Sequence, residues 1–180
     1  GEWCLLSHFN EEDKARMAPG ASDLVAYHYI RSGQVHARVE GTQSVTARQG
    51  DIILLPRNDA HIFYSRGDLP PVDSHELLQD SEHGEPARLV IDGPGEPTNF
   101  YCGFLAVSTD RHPLLDSLPP ILKLSASDAT RTQWLESSLK LMNEGPHSPE
   151  VVARLGELFL AEAIRRYVEE LPSGEGGWLA

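Results

Sequence analysis

Short apolar runs, separated by glycine, proline and polar turns, make up the first two thirds of the chain. Apolar positions 35, 37 and 39 alternate with polar ones, which is the period of a half-buried strand. Positions 52–55 are apolar without a break, which favours a strand covered on both faces. We predict strands at 3–9, 24–30, 35–39, 45–47, 52–55, 61–64 and 99–107, with short extended pieces at 88–91 and 121–124. Strands of this length and spacing indicate a barrel or sandwich.

Two stretches show neither the alternation of a strand nor the period of a helix. Residues 10–23 are charged and contain Pro19-Gly20, so we predict a loop or hairpin connection. Residues 66–87 are rich in acidic side chains, and we predict a long surface loop there. Its histidines, His75 and His83, are expected to be solvated rather than to bind a metal ion.

The period becomes helical after Asp128. Apolar residues at i, i+4 and i+7 predict a first helix that stops at Gly145-Pro146, and Ser148 is a suitable cap for a second helix at about 149–171. We therefore expect two antiparallel helices at 125–171, followed by a flexible segment at 172–180.

The apolar arc of the second helix is wider than packing on one surface requires. One explanation is a single broad core face, and the other is a seam between two copies of the chain. On the second explanation, the residues at the dimer interface are Leu155, Phe159, Leu160, Ile164 and Tyr167.

The chain is organised around the segment from Gly50 to His61. Gly50 suits a turn, Pro56 ends the buried strand, Asn58 tolerates left-handed backbone, and His61 opens the next strand. This spacing resembles the second motif of cupin barrels, and the hairpin at 27–41 is similar to the first. The resemblance implies a mainly β protein with C-terminal helices: a cupin-like β-barrel (jelly roll) at residues 1–124.

Joined to Cys102-Gly103-Phe104 and the helical tail, the pattern resembles the N-terminal effector domain of AraC-type transcriptional regulators. The resemblance implies a cytoplasmic homodimer whose barrel binds a small-molecule effector. It also implies that a DNA-binding domain follows Ala180 in the intact protein.

Composition narrows the partners of this segment. The 180 residues have a formal net charge of −12, which repels nucleic acid, so we expect no direct DNA contact. No apolar run approaches the roughly 18 residues that a membrane span needs. Cys4 and Cys102 are too few for a disulfide framework.

The cupin resemblance makes His61 a candidate metal ligand, but the paired histidines and the glutamate of the first cupin motif are absent. His28, His61 and Cys102 supply a three-ligand site for zinc or a similar ion only if they converge. The alternative is hydrogen-bonded histidines beside a small core cysteine.

The same region is a candidate ligand pocket, because barrel interiors hold small molecules between apolar walls with a few polar groups. The candidate lining residues are His28, Tyr29, His61, Tyr64 and Cys102.

Three functions follow from these observations. The first is an effector-sensing and dimerisation domain, which is not an enzyme. The second is a small metal-dependent cupin enzyme, such as a dioxygenase or isomerase. The third is a structural dimerisation domain whose filled barrel binds no ligand.

Overall fold

The β segments form two sheets in the computed structural model, which describes residues 2–77, 96–107, 113–125, 129–143 and 148–171. The strands predicted within these ranges are confirmed. Their bounds are β1 Cys4–Ser7, β2 Asp23–Ser32, β3 Gln34–Val39, β4 Val45–Arg48, β5 Ile52–Leu55, β6 His61–Tyr64, β7 Val72–Asp73, β8 Asn99–Val107 and β9 Leu122–Leu124.

One sheet has the strand order β4-β3-β6-β1-β7, and the other has the order β8-β2-β5-β9. All pairs are antiparallel except β1 with β7. The cupin-like arrangement is therefore built from two separate sheets, and the strand pairs of the described residues do not close them into a continuous barrel.

The facing sides of the sheets form an apolar core. Alternate residues of each strand enter it, as the period of two requires. The buried members of this core are Trp3, Leu5, Ala26, Ile30, Val35, Ala37, Val39, Ala47, Ile53, Leu55 and Phe63. All four residues of β5 are buried, which confirms that this strand is covered on both faces.

The turns on either side of β5 have the geometry that their residues predict. Gly50 has φ +87° and Asn58 has φ +52°, both in the left-handed region. The Asn58 side chain also receives a hydrogen bond from the Phe9 amide (3.1 Å) and donates one to the Phe9 carbonyl (2.6 Å). This asparagine thus anchors the chain after β1 to the turn before β6.

Residues 10–23 are not only a connection, as the sequence pattern suggested. Glu11–Met17 form a helix, α1, which is too polar to show an apolar stripe. Asn10 caps it: its side chain accepts from the Asp13 amide (2.9 Å), and the Asp13 carboxylate accepts from the Asn10 amide (3.0 Å). This capping box is the local signal that the sequence interpretation missed.

Two further short helices belong to the β unit. These are α2 at Ser74–Leu77, within the predicted surface loop, and α3 at Pro113–Ser117. The Arg57 guanidinium donates to the carbonyls of Leu115 and Leu118, at 3.3 and 2.8 Å, and so ties the end of α3 to the turn after β5.

Gly103 of β8 permits a close approach of Tyr27, which faces it across the strand pair. A Cβ atom at this position would lie 2.8 Å from Cε1 of the buried Tyr27 ring, and closer still to its hydroxyl. We predict that Gly103→Ala lowers the free energy of unfolding by about 1–3 kcal/mol, because the enclosed ring must shift. Chemical denaturation measures this change.

Ala106→Val, at an exposed position of the same strand, is the control and should change stability by less than about 0.5 kcal/mol. A Gly103→Ala variant as stable as the control would contradict the assigned packing.

The chain divides into two units, Gly1–Ala126 and Ser127–Ala180. In the second unit, helix α4 (Ala129–Asn143) packs against helix α5 (Pro149–Glu170). The predicted Ser148 cap is present, since its hydroxyl accepts from the Val151 amide at 3.3 Å. Among the described helices, none is long and apolar enough to cross a membrane.

The predicted dimer interface needs a correction. Phe159 has no exposed surface in the single chain, because it belongs to the buried face of α5. Leu155, Leu160, Ile164 and Tyr167 are half-buried. The strongly exposed apolar side chains of the helical unit lie elsewhere on α4 and α5, at Trp134, Leu141, Val151 and Leu158.

Several predictions fall outside the described residues. They are the strand at 88–91, His83, the helix stop at Gly145-Pro146 and the flexible segment at 172–180.

Candidate functional site

Two strands of one sheet and one of the other bring three polar side chains together. His28 lies in the middle of β2 and faces Cys102 across the β2–β8 pair. His61 opens β6, in the opposite sheet. Because alternation turns His28 and His61 toward the core, their rings meet between the sheets, with centroids 4.9 Å apart. His28 is 2% exposed and His61 is 1% exposed.

The three side chains and one backbone carbonyl form a chain of hydrogen bonds. His61 Nδ1 lies 2.9 Å from the Asp59 carbonyl oxygen. His61 Nε2 is 3.0 Å from His28 Nε2, and His28 Nδ1 is 3.1 Å from Cys102 Sγ. We call this arrangement the His–His–Cys chain. It extends from the turn before β6 to Cys102, whose residue surface is exposed.

The Asp59 carbonyl determines the donor and the acceptor of every hydrogen bond in the His–His–Cys chain. A carbonyl oxygen only accepts, so neutral His61 carries its proton on Nδ1 and its Nε2 is an acceptor. His28 must then donate from Nε2, which leaves its Nδ1 as an acceptor for the Cys102 thiol. One tautomer of each ring satisfies the whole chain with every group neutral.

The electrostatics favour this neutral state. Burial lowers the pKa of His61 to about 4, against the raising effect of its bond to the Asp59 carbonyl and with a smaller lowering by His8. Burial, and next the proximity of His61, hold the pKa of His28 well below its ordinary value. The protein atoms around the Cys102 sulfur raise the pKa of this thiol to about 12, although the residue retains accessible surface.

Aromatic rings enclose the two imidazoles. The Phe63 centroid lies 4.4 Å from that of His28 and 5.0 Å from that of His61, and both imidazoles meet it edge-on. Phe100 lies 5.7 Å from Phe63 and 6.2 Å from His28. The polar chain is thus surrounded by apolar surface, so its hydrogen bonds are internal and water is kept from the rings.

The predicted three-ligand metal site does not fit this geometry. Cys102 contacts Nδ1 of His28, whereas His61 contacts Nε2 on the other side of the same ring. The three groups therefore form a line and do not converge on one point, as tetrahedral zinc ligands must. The described residues contain no group of three or more His, Cys, Asp or Glu side chains arranged to hold a metal ion.

Two of the five predicted pocket residues lie away from the His–His–Cys chain. Tyr64 follows the inward Phe63, so its ring is on the outer face of β6, where it stacks on His36 and donates to Ser44 Oγ (2.8 Å). Tyr29 follows His28 and lies on the other face of β2, opposite Tyr101. The predicted set is corrected to His28, His61 and Cys102.

Sequence reasoning missed the aromatic enclosure and a second cluster of charges. Phe63 and Phe100 occupy inward-facing positions of β6 and β8, so the alternation of side chains along these strands could have identified them. In the second cluster, His75 Nε2 lies 2.8 Å from the buried Asp13 carboxylate, and Nδ1 lies 3.0 Å from Asp73. Asp13, and then Asp73, raise the pKa of His75. No local pattern predicts this bond, because Asp13 and His75 are 62 positions apart.

The comparisons with known proteins agree with the motif and the fold. A profile of the family described as Cupin matches residues 1–169. This chain belongs to the cupin family. The cupin resemblance stated from the Gly50–His61 segment is therefore confirmed.

Among curated proteins, this cupin is similar to the HTH-type transcriptional regulator AlkR of Acinetobacter baylyi. The two are 23% identical over 168 residues, which cover 88% of this chain and 54% of the relative. The cupin chain thus spans about half the length of the curated relative that it matches. The predicted similarity to the cupin domain of AraC-type regulators is confirmed.

A solved structure, apo ToxT K231A from Vibrio cholerae, covers 93% of this cupin with 11% identity and a TM-score of 0.41. The match spans 55% of that chain. At this score the comparison adds nothing to the assignment.

Proposed function

We propose that this cupin domain senses a small-molecule effector for a transcriptional regulator, and that the His–His–Cys chain supplies the polar group that binds the ligand. The observation that carries the proposal is the polar chain itself. Two buried imidazoles lie in an otherwise apolar core and connect to Cys102, a residue with accessible surface. A few placed polar groups in an apolar enclosure are typical of small-molecule sites.

The Cys102 end is where a ligand joins the chain. His28 Nδ1 is an acceptor, held so by the bonds that continue to the Asp59 carbonyl. A ligand with a hydroxyl or N–H group replaces the weak thiol donor with a stronger one, and apolar parts of the ligand pack on the neighbouring aromatic rings. We therefore favour an effector that is mainly apolar with one hydrogen-bond donor.

The same chemistry supports binding rather than catalysis. A thiol with a raised pKa is a poor nucleophile, because the thiolate is the reactive form. Neutral histidines with lowered pKa values, bonded to one another, have no free proton to exchange. The linear arrangement also gives the metal-dependent cupin enzyme less support than the sensor.

Coupling to transcription follows from linkage. An effector that prefers one conformation of the domain shifts the population of DNA-competent protein by its difference in affinity for the two states. We propose that DNA is bound by a part of the protein outside this acidic segment, and that the protein acts in the cytoplasm.

A thermal-shift screen of small metabolites tests the sensor function. A ligand of the folded domain raises its unfolding midpoint by mass action. For the compound that gives the largest rise, Cys102→Ala should strengthen binding by about fivefold, because the ligand no longer has to displace the thiol from His28 Nδ1, a hydrogen bond on the scale of about 1 kcal/mol. The matched control is Cys4→Ala, a buried cysteine of β1. Equal binding by the two variants would place the ligand elsewhere and contradict the proposal.

The helical unit is proposed to form the dimer contacts. The exposed residues Trp134 and Leu141 are one heptad apart on α4, and Val151 and Leu158 are one heptad apart on α5. Each pair therefore lies on one helix face, as coiled-coil-like contacts require. Sedimentation of Leu158→Glu should show dissociation into monomers. Met17→Glu, at an exposed residue of α1, should leave the dimer intact, and a wild-type monomer at high concentration would contradict the proposal.

A further inference from the structure

A polar cleft, separate from the His–His–Cys chain, opens where the edges of the two sheets meet. It has a volume of about 330 Å³. Lys123 of β9 closes the gap between the sheets by donating to the Thr46 carbonyl of β4 at 3.2 Å. The cleft lies on the outer surface and contains none of the His–His–Cys chain. Its lining residues are Gln34, His36, Thr46, Arg48, Asp51 and Lys123.

The cleft contains two cations that form no ion pair with a described carboxylate. Arg48 donates from Nε to Gln34 Oε1 at 3.0 Å, and its side chain forms no ion pair with any described carboxylate. The Lys123 ammonium likewise has no carboxylate partner among the described residues. Some other surface cations of the β unit are paired with carboxylates, Arg66 with Glu2 and Asp68, and Lys14 with Glu11. The exposed Arg31 and Arg38 instead lie over tyrosine rings. In a chain with 27 acidic and 15 basic residues, two cations in one cleft that pair with no described carboxylate are unexpected.

The carboxylate in the lining offsets at most one of the two cations. Asp51 is 9% exposed, and its Oδ2 accepts from the Arg48 backbone amide at 2.9 Å. It shapes the turn between β4 and β5 rather than pairing with the Arg48 side chain. The cleft therefore keeps a local positive charge in a protein of net charge −12.

The neutral part of the wall is fixed in place. His36 stacks on Tyr64, with the ring centroids 5.3 Å apart, and its Nδ1 lies 2.9 Å from Thr46 Oγ1. The His36 ring accepts from Gln34 Nε2 at 3.5 Å and donates to Thr46, which leaves the Thr46 hydroxyl and the Gln34 amide as donors beside the two cations. Such an array of donors suits a planar or tetrahedral oxyanion, because guanidinium and ammonium groups both donate to carboxylate and phosphate oxygens.

We infer that the cleft between β4 and β9 is a binding site for a small oxyanion, a phosphate or carboxylate group, separate from the effector site. Arg48 and Lys123 bind the charge, and the Thr46 hydroxyl and the Gln34 amide complete the donor set. The site does not rest on the proposed sensor function, since the two share no residue.

The test is equilibrium binding of two probes, inorganic phosphate and succinate, followed by NMR shifts of the backbone amides at constant ionic strength set with sodium chloride. We expect saturable shifts at residues 46–51 and 122–124 with at least one probe. Arg48→Gln and Lys123→Gln should each weaken that binding by about tenfold, the scale of one charge-assisted hydrogen bond. The probe that binds more tightly identifies the oxyanion.

The control variants distinguish binding at a specific site from a general effect of surface charge. Arg38→Gln removes an exposed cation on the neighbouring strand, where the guanidinium lies over the Tyr64 ring, and should leave binding unchanged. Lys123→Arg keeps the charge and should retain binding. Unliganded melting curves show whether each variant is folded. Absence of saturable binding by both probes, or equal weakening by Arg38→Gln, would overturn the inference.

Discussion

Phe63→Ala is expected to lower the free energy of unfolding by about 3–5 kcal/mol, the usual cost of removing a large aromatic side chain from a core. Phe63 is fully buried and contacts His28, His61 and Phe100. The cavity left behind also borders the two imidazoles. Water that enters it should raise their pKa values toward the ordinary range, because their lowering is mainly an effect of burial.

Urea denaturation of wild type and variant measures the loss of stability. Met17→Ala, at a residue 37% exposed on α1, is the control and should change stability by less than about 0.5 kcal/mol. A loss below about 1 kcal/mol for Phe63→Ala would contradict the packing of the site.

The second large effect is a loss of stability in mild acid. The unfolded chain protonates a histidine near pH 6.5, but folded His61 does so only near pH 4. Between these values the unfolded state binds more protons, so stability falls as the pH falls. The fall in pKa from 6.5 to about 4, at roughly 1.36 kcal/mol for each unit, corresponds to about 3 kcal/mol lost by pH 4. His28, whose pKa is also lowered, adds to this loss.

The other shifted groups act mainly outside the upper part of this window. His75 has a raised pKa, so its contribution is fully present below pH 6.5 and is lost as the pH rises through its folded value. The pKa values of Asp13 and Glu162 are lowered, so their contributions are lost as the pH falls below the ordinary values of 3.8 and 4.5. Above about pH 5 the loss therefore reports on the buried histidines, and below it the carboxylates add to the loss.

Denaturation curves at several pH values check this prediction. His61→Gln should be less stable at pH 7 and should show a shallower dependence on pH between 6.5 and 4. His36→Gln, which changes a histidine outside the core, should keep the wild-type slope. A wild-type protein whose stability is constant over this range would show that the histidines are not held neutral by the fold.

The positions of most strands along the chain could be predicted from the alternation of apolar and polar residues and from the turn residues. Gly50 and Asn58 adopt the left-handed backbone that their residue types allow, and Ser148 caps α5 as expected. Local chemistry determines these features, so the sequence contains the information.

The candidate site was only partly predictable, for a physical reason. Both faces of β2 are buried, so alternation separates His28 from Tyr29 but does not show which face meets the core. The pairing of His28 Nε2 with His61 depends on the distance between the two sheets, which no local pattern fixes. The ion pair of Asp13 with His75 is nonlocal in the same way.

The central claim is that a neutral, directed His–His–Cys chain is the polar centre of this cupin domain. Long-range ¹H–¹⁵N spectra of the histidine rings test it most directly, because they distinguish the two neutral tautomers and the charged form. At pH 6 we predict a protonated Nδ1 and bare Nε2 for His61, and a protonated Nε2 and bare Nδ1 for His28. A charged ring at pH 6, or the opposite tautomer in either residue, would contradict the account.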